Sequence, residues 1–250
     1  MITFFDLASV NGNSLKTWSP NPWKTRYVLN YKKLSYKTVY LEYPELEPEL
    51  KKLGIPPSTN PADGTALYTS PSIVDEANKK QITDSYKIAE YLDKAYPDTP
   101  QVIPKGTEAL QAALYDHLDQ LIMPYWPLLL PILPPRCMNP PSAEYFTRTR
   151  SAWFGKPLAD LEPQGEARTE AWKKVEASFD TINGWLSKSS GPYLMGETVT
   201  FSDFVLGGFI QSIKLCFGEE SEEWKKVQVW NGGRWKAYLA SLEPYAAVEK

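Results

Sequence analysis

The hydrophobic and polar positions of the first hundred residues alternate between two periods. Short runs rich in β-branched and aromatic residues, which are typical of strands, occupy positions 2–7, 36–43, 67–68 and 72–74. Helical spacing of apolar residues predicts helices over 21–33, 44–53 and 84–96. The predicted order is strand, helix, strand, helix, strand, strand, helix. It favours an α/β unit in which a parallel βαβ motif is joined to a hairpin and a closing helix.

Capping residues, prolines and a glycine mark the ends of these predicted helices. Asn21 followed by Pro22 is typical of an N-cap with proline at the first helical position. Gly54 ends the second helix and Pro97 ends the third. We therefore expect a polar loop before residue 21, and a loop rich in proline, serine and asparagine over 55–66.

The pattern changes beyond a proline-containing linker at 98–106, because only helices are predicted after it. Two apolar helical faces consist of Leu114, Leu118, Leu121 and Ile122, and of Trp172, Val175, Phe179, Ile182 and Leu186. Thr200 and Asp203 form a capping box at the start of a further apolar helix over 204–213. We predict an α/β domain over 1–97 and an all-α domain over 107–250.

Composition limits the cellular compartment and the kinds of binding partner that we expect. The chain has 250 residues and a formal net charge of -3, so it offers no basic stripe for nucleic acid. Its two cysteines, Cys137 and Cys216, form neither a metal-binding pattern nor a disulfide framework, which favours a reducing compartment. The longest apolar run, at 122–133, is too short to span a bilayer and contains three prolines. With no secretory signal visible at the N-terminus, we expect a cytoplasmic protein without a metal.

Four stretches in this order resemble the cytosolic glutathione transferases across essentially the whole chain. They are residues 18–26 (WSPNPWKTR), 70–75 (SPSIVD), 82–92 (ITDSYKIAEYL) and 200–203 (TFSD). The first is similar to the serine-containing motif of the fungal Fuα class, which is related to bacterial β-etherases. The resemblance implies a thioredoxin-like N-terminal domain, an all-helical C-terminal domain, glutathione as co-substrate and a homodimer.

The chemistry implied by the resemblance requires a stabilised thiolate, because an unperturbed thiol has a pKa of about 8.5. A helix N-terminus and a hydroxyl donor both stabilise such an anion. Ser19 stands two residues before the predicted N-cap, so we prefer its hydroxyl as the donor to sulfur. The Asn21 amide is the rival donor, and Ser19 would otherwise only cap the loop. Serine in place of cysteine also argues against thiol–disulfide reductase activity.

The resemblance assigns the rest of glutathione to residues of the first domain. Ser70 precedes an expected cis-proline, Pro71, and would present its backbone N–H and C=O to the cysteinyl part. Asp84 and Ser85 would hold the γ-glutamyl end, although both are also good helix caps. Trp23 is included in the glutathione site. For the glycyl carboxylate the candidate cations, which the sequence does not rank, are Lys24, Arg26, Lys51 and Lys52.

An apolar segment rich in proline follows the first helix of the second domain. Proline removes backbone donors, so we expect 123–135 to be packed but irregular. Within it Met123, Tyr125 and Trp126 are predicted to line an acceptor pocket, joined by Trp153 and Phe154. Internal packing or a dimer contact is the alternative for these side chains. The single histidine, His117, and the two cysteines are predicted to have no catalytic role.

Three functions remain open at this point. The first is transfer of glutathione to a hydrophobic electrophile, with an aromatic one favoured, and with β-etherase-like or peroxidase side activity. The second is a ligandin-type protein that binds plant or wood phenolics with little turnover. The third is a structural module without glutathione chemistry, against which the Ser19 and Asp84-Ser85 motifs argue.

Overall fold

A computed structural model of the chain describes residues 1–10, 17–59 and 64–248. The loops predicted before residue 21 and over 55–66 lie partly outside the described residues. The strands are β1 (Ile2–Leu7), β2 (Tyr36–Leu41), β3 (Ser58–Thr59), β4 (Ala66–Leu67), β5 (Ser72–Asp75) and β6 (Lys80–Thr83). The helices are α1 (Pro20–Tyr31), α2 (Tyr43–Lys52), α3 (Ser85–Ala95), α4 (Glu108–Ile122), α5 (Trp126–Leu129), α6 (Leu133–Cys137), α7 (Pro140–Phe154), α8 (Gly165–Leu186), α9 (Phe201–Phe217), α10 (Glu222–Val227) and α11 (Trp230–Ser241).

The main sheet has the strand order β2-β1-β5-β6. β1 pairs in parallel with β2, with Ile2 opposite Tyr36, and antiparallel with β5, which pairs antiparallel with β6. Every residue of β1 is buried, because this strand lies inside the sheet and helices pack on it. The predicted βαβ motif, closing helix and all-helical second domain are confirmed.

The predicted hairpin is wrong in its pairing. β5 pairs with β6, which the sequence pattern did not identify, whereas β4 pairs with β3 in a separate two-stranded sheet. The turn after β5 depends on Asp75, whose carboxylate accepts hydrogen bonds from the backbone N–H of Ala77 and the side chain of Asn78. β6 begins with the polar residues Lys80 and Gln81, so its hydropathy gives only a weak strand signal.

The start of α1 also differs from the prediction, because the N-cap is Ser19 and not Asn21. Ser19 has an extended backbone, with φ -75° and ψ 133°. Pro20 then occupies the first helical position, where its fixed φ suits the helix and its missing N–H breaks no bond. Pro22 is tolerated two positions later because the first N–H groups of any helix lack partners within it. The helix ends at Tyr31.

The apolar faces predicted for the second domain are confirmed. All five stripe residues of α8 are buried, and so are Leu118 and Ile122 of α4. The predicted capping box stands at the start of α9: the backbone N–H and the hydroxyl of Thr200 donate to Asp203 at 2.7 and 2.8 Å. α9 continues past the predicted end at residue 213, as far as Phe217.

The proline-rich segment is more regular than predicted. From residue 123 to residue 137 the chain forms short helical turns in succession: Met123–Tyr125, α5, Leu130–Ile132 and α6. Each of these turns has a proline in its first two positions. Since proline is compatible with the first turn of a helix, the chain restarts a helical turn at each proline instead of becoming irregular.

The two domains meet where α1 packs against α9. The rings of Tyr27 and Phe204 stack across this contact with centroids 5.4 Å apart. Gly208 allows the close approach, because a Cβ atom there would lie 2.8 Å from the carbonyl oxygen of Pro20. The first turn of α1 is therefore held against the helical domain. No helix in the described part of the chain is long and apolar enough to cross a membrane.

Candidate active site

Two pockets adjoin at the N-terminus of α1. One has a volume of about 410 Å³ and is lined by polar groups, including Glu47, Ser70, Asp84, Ser85, Tyr115 and Asp119. The other, of about 370 Å³, is lined by apolar groups, including Trp18, Met123, Trp126, Phe146, Trp153 and Phe154. Four residues line both pockets: Ser19, Asn21, Tyr43 and Arg150. A reactive atom bound beside Ser19 would therefore face both spaces.

The first turn of α1 offers few donors, and they are close together. Pro20 and Pro22 have no N–H, and the N–H of Trp23 donates to the carbonyl oxygen of Ser19. Within this described turn, the backbone N–H of Asn21 is left without a protein partner. The Ser19 hydroxyl likewise forms no hydrogen bond with the described residues, and Ser19 is only 6% exposed. An anion here would meet one hydroxyl and one amide.

The segment that leads into Ser19 is fixed by buried hydrogen bonds. The indole N–H of Trp18 donates to the carbonyl oxygen of Ala8 at 3.3 Å, and that of Trp23 donates to the carbonyl oxygen of Thr17 at 2.8 Å. The Cys216 thiol lies 3.7 Å from the carbonyl oxygen of Trp18. These contacts hold the backbone before Ser19 and so position its hydroxyl. They also occupy Trp23, which is 2% exposed and lies outside both pocket linings.

The Ser70–Pro71 peptide bond is cis, as the family resemblance predicted. The Ser70 hydroxyl donates to the carbonyl oxygen of Phe5 at 3.0 Å, and the carbonyl of Pro71 accepts from the N–H of Asp84 at 3.3 Å. The backbone N–H and C=O of Ser70 have no partner in the described parts of the chain and face no strand. They are available for a strand-like pairing with a peptide ligand.

The start of α3 forms the far end of the polar pocket. Asp84 caps this helix, and its Oδ1 accepts from the N–H groups of Tyr86 and Lys87, each at 3.0 Å. Asp84 also has a φ of 89°, an uncommon backbone conformation for a residue other than glycine. Ser85 follows it and is buried. The second carboxylate oxygen of Asp84 has no protein partner in the described chain, so it can accept from an ammonium group.

None of the four cations predicted for the glycyl carboxylate lines the polar pocket. Arg26 is buried and pairs with Asp6 at 2.8 Å, which satisfies its charge within the first domain. Lys51 and Lys52 pair with glutamates of their own helix. Lys24 is also buried, and burial lowers its pKa to about 8 in spite of the nearby carboxylates of Asp119 and Asp84. Arg26 is thus paired away from the polar pocket, whereas Lys51 lies beside it, because its partner Glu47 lines that pocket.

The apolar pocket contains four of the five predicted acceptor residues, namely Met123, Trp126, Trp153 and Phe154. The fifth prediction, Tyr125, is not supported by its position. Its side chain is 2% exposed and points into the core, where its ring packs 6.4 Å from Phe209 and 6.3 Å from Phe217. Successive side chains of a helical turn point about 100° apart, so Trp126 lines the pocket while Tyr125, one position earlier, packs into the core.

Comparison with known proteins shows to which family the chain belongs. The glutathione S-transferase N-terminal domain matches residues 18–95, and the glutathione S-transferase C-terminal domain matches residues 109–245. The chain belongs to the glutathione S-transferase family. The resemblance predicted from the sequence is thereby confirmed.

Three similar proteins, all from fungi, illustrate the relationship. A glutathione S-transferase of Ceriporiopsis subvermispora, solved in complex with glutathione, is 40% identical with a TM-score of 0.93, covering 100% of this chain and 99% of that one. Glutathione transferase GSTFuA3 of Phanerochaete chrysosporium is 35% identical with a TM-score of 0.89, covering 100% and 98%. The glutathione S-transferase-like protein ustS of Aspergillus flavus is 32% identical over 94% of this chain and 87% of its own.

Sequence reasoning missed two residues that line both pockets of the transferase, Tyr43 and Arg150. Tyr43 begins α2, and its N–H donates to the Ser142 hydroxyl of α7 at 2.8 Å, which ties the two helices together. A helical signal could have identified Arg150. It is four residues after Phe146 and four before Phe154 on α7, so all three fall on one face with an apolar majority.

Proposed function

We propose that the protein is a serine-type glutathione transferase that attaches glutathione to hydrophobic, aromatic electrophiles. The observation that carries this proposal is the position of Ser19. It is nearly buried, its hydroxyl is unpartnered among the described residues, and it lines both the polar and the apolar pocket. A thiolate bound there would contact its donor and face its acceptor at the same time.

We expect glutathione to lie in the polar pocket with its γ-glutamyl end at the start of α3. Its γ-glutamyl ammonium would meet the free oxygen of Asp84, and its α-carboxylate would meet Ser85 and the start of α3. Its cysteinyl backbone would pair with Ser70 before the cis-proline. The sulfur then lies beside Ser19. The solved relative from Ceriporiopsis subvermispora, which binds glutathione, supports glutathione as the co-substrate.

The proposed reaction needs only a stabilised anion and a held acceptor. The thiol proton is lost to solvent, and the Ser19 hydroxyl and the Asn21 N–H stabilise the sulfur anion with hydrogen bonds. A sulfur electron pair then forms the bond to the electrophilic carbon. In a substitution, the leaving group departs with the electron pair of the bond that breaks. Ser19 is our preferred side-chain donor, and the Asn21 amide is its rival because it is exposed at the same mouth.

Binding of phenolics with little turnover is a second candidate, favoured by one feature of the apolar pocket. Its described lining contains no carboxylate and no histidine that could act as a general acid towards a poor leaving group. A ligand without a good leaving group would therefore be held but not converted. We also propose that the protein works as a homodimer, as the family resemblance implies.

The test compares Ser19→Ala with wild type, using a neutral aryl halide as electrophile. Hydrogen bonds to charged groups contribute about 1.5–3 kcal/mol, so we expect kcat/KM to fall roughly 10- to 100-fold while the dissociation constant of glutathione changes little. Asn21→Ala is the matched variant, and it should cost less because the backbone N–H stays. Equal activity of wild type and Ser19→Ala would refute the serine-type proposal. If the wild type also showed feeble turnover together with tight binding of aromatic ligands, the ligandin function would replace it.

A further inference from the structure

The apolar pocket has a single charged side chain in its described lining, that of Arg150. Its guanidinium is surrounded by aromatic rings. The guanidinium carbon lies 4.0 Å from the ring centroid of Trp153, 4.4 Å from that of Phe146 and 5.4 Å from that of Tyr43. Such contacts hold the planar cation in place through its faces and leave its N–H edges free.

The charge of Arg150 is not balanced by the protein. No carboxylate in the described parts of the chain lies within 4.0 Å of it, whereas Arg148, two residues away, contacts Glu144 at 3.6 Å. One N–H of Arg150 donates to the Thr149 hydroxyl at 2.9 Å. A guanidinium has five N–H groups, so most of its donors are left for a ligand. Burial lowers the pKa of Arg150, which means that the site disfavours the unpaired cation.

The two pockets differ in the acidic side chains that line them. Glu47, Asp84 and Asp119 line that pocket, and the described lining of the apolar pocket has no acidic residue. A ligand carboxylate in the apolar pocket would therefore meet a cation and no competing negative charge. A half-buried guanidinium such as that of Arg150 can bind a carboxylate through two parallel hydrogen bonds.

We infer that Arg150 determines acceptor specificity by binding a carboxylate on an aromatic acceptor, with the acceptor ring between the aromatic side chains of the pocket. This inference rests on the proposed function, because the acceptor is the molecule that the thiolate attacks. Arg150 and Ser19 line the same pocket, so the carboxylate end is anchored while the electrophilic carbon faces the sulfur. Arg150 is a specificity-determining residue and takes no part in bond making.

The experiment uses two electrophiles that differ in one charge, a chloro-dinitrobenzoate and its methyl ester. Arg150→Gln is compared with the matched variant Arg148→Gln, which removes the same charge from an exposed site on the same helix. We expect Arg150→Gln to lower kcat/KM for the acid roughly 10- to 100-fold, mainly through KM, and to change the ester less than about threefold. Arg148→Gln should change neither. An equal effect of Arg150→Gln on acid and ester, or no effect, overturns the inference.

Arg150 also lines the polar pocket, so it could instead bind the glycyl carboxylate of glutathione. A second experiment tests which of the two carboxylates it binds. Calorimetry should give the same dissociation constant of glutathione for wild type and Arg150→Gln. Weaker glutathione binding with an unchanged acid-to-ester ratio would assign Arg150 to glutathione and overturn the inference. Arg150→Lys keeps the charge and should retain part of the acid preference, which covers the case that the glutamine variant fails to fold.

A third measurement distinguishes failure of this inference from failure of the proposed function. If wild type binds no glutathione, the transferase proposal fails, but ligand binding to the pocket can still be followed by quenching of the intrinsic tryptophan fluorescence, to which Trp18, Trp126 and Trp153 of the lining contribute. Tighter binding of the benzoate than of its ester, lost in Arg150→Gln, supports the role of Arg150. Equal affinities for the two compounds contradict it.

Discussion

Ser19 combines two roles that follow from its place in the chain. It is the N-cap of α1, yet its hydroxyl makes no capping hydrogen bond, because the residue three positions later is a proline without an N–H. Pro22 thus removes the partner that an N-cap serine ordinarily has. The hydroxyl is left free for a ligand at the positive end of the helix. At the residue scale, the two prolines are therefore part of the site.

Lys24 is the second residue whose chemistry differs from that of its type. Burial lowers its pKa from 10.5 to about 8, so the unfolded chain binds a proton that the folded chain releases between these values. The free energy of unfolding should therefore rise with pH across that interval. Below pH 8 the buried charge costs on the order of 3 kcal/mol relative to pH above 10.5.

Lys24→Met should be more stable than wild type at neutral pH, and the difference should shrink as the pH rises from about 8. Urea unfolding at several pH values measures it. Lys94→Met, which removes an exposed lysine of α3, is the control. Its difference in unfolding free energy from wild type should not change with pH. If the difference in unfolding free energy between wild type and Lys24→Met did not depend on pH, it would contradict a lowered pKa of Lys24.

At the element scale, the contact of α1 with α9 depends on one missing side chain. A Cβ at Gly208 would lie 2.8 Å from the Pro20 carbonyl oxygen and 3.3 Å from the Trp23 Cβ. Gly208→Ala should therefore push the first turn of α1 away from α9, destabilising the fold by about 1–3 kcal/mol and lowering activity as Ser19 shifts.

Gly184→Ala is the matched control for this helix contact. Gly184 lies within α8, where a Cβ would have nothing within 4 Å. Alanine there should stabilise the protein by up to about 1 kcal/mol, because glycine is a poor helix former. Thermal unfolding and turnover of both variants decide the matter. If Gly208→Ala were as stable and active as Gly184→Ala, close packing at this point would not position the site.

Much of the element structure could be predicted from the sequence because it depends on local periodicity. The stripe of α8 from Trp172 to Leu186 is a long, regular pattern, and the capping box of Thr200 marks the start of α9 without ambiguity. β6 was missed because a short strand beginning with Lys80 has little alternation, and its place is decided by pairing with β5. Strand pairing is a tertiary property that a local pattern does not contain.

Some site residues could likewise be identified from the sequence and others could not. Ser19, Ser70, Asp84 and Ser85 were singled out because they stand in motifs that carry the family resemblance, and all four line the polar pocket, where their roles stay predictions. Arg150 was not, because its significance comes from α7 packing beside α2 and from the lack of a carboxylate near it. Such a lack is visible only when the surrounding side chains have been placed.

At the scale of the whole molecule, the end of the described chain returns to the first domain. Asn30 in α1 donates to the carbonyl oxygens of Tyr245 and Ala247 at 2.7 and 2.9 Å, and Arg26 donates to that of Val248 at 2.7 Å. These bonds fasten residues far apart in sequence and add to the α1–α9 contact. They attach the end of the described chain to α1.

Asn30→Ala should loosen this attachment, because it leaves the carbonyl of Tyr245 without a donor and that of Ala247 with only the Tyr36 hydroxyl at 3.4 Å. We expect a loss of about 1–3 kcal/mol in the free energy of unfolding, and faster hydrogen exchange at residues 243–248. Asn183→Ala, a substitution of the same type in α8, serves as the control. Unchanged exchange over 243–248 in Asn30→Ala would show that the terminal segment is held by other contacts.

The most direct test of the whole account is the pKa of the glutathione thiol when it is bound, followed by the ultraviolet absorbance of the thiolate as pH is varied. The account predicts a value below the roughly 8.5 of a free thiol in wild type, raised by about 1–2 in Ser19→Ala. A bound thiol with the same pKa as free glutathione, or one unaffected by Ser19→Ala, would contradict it.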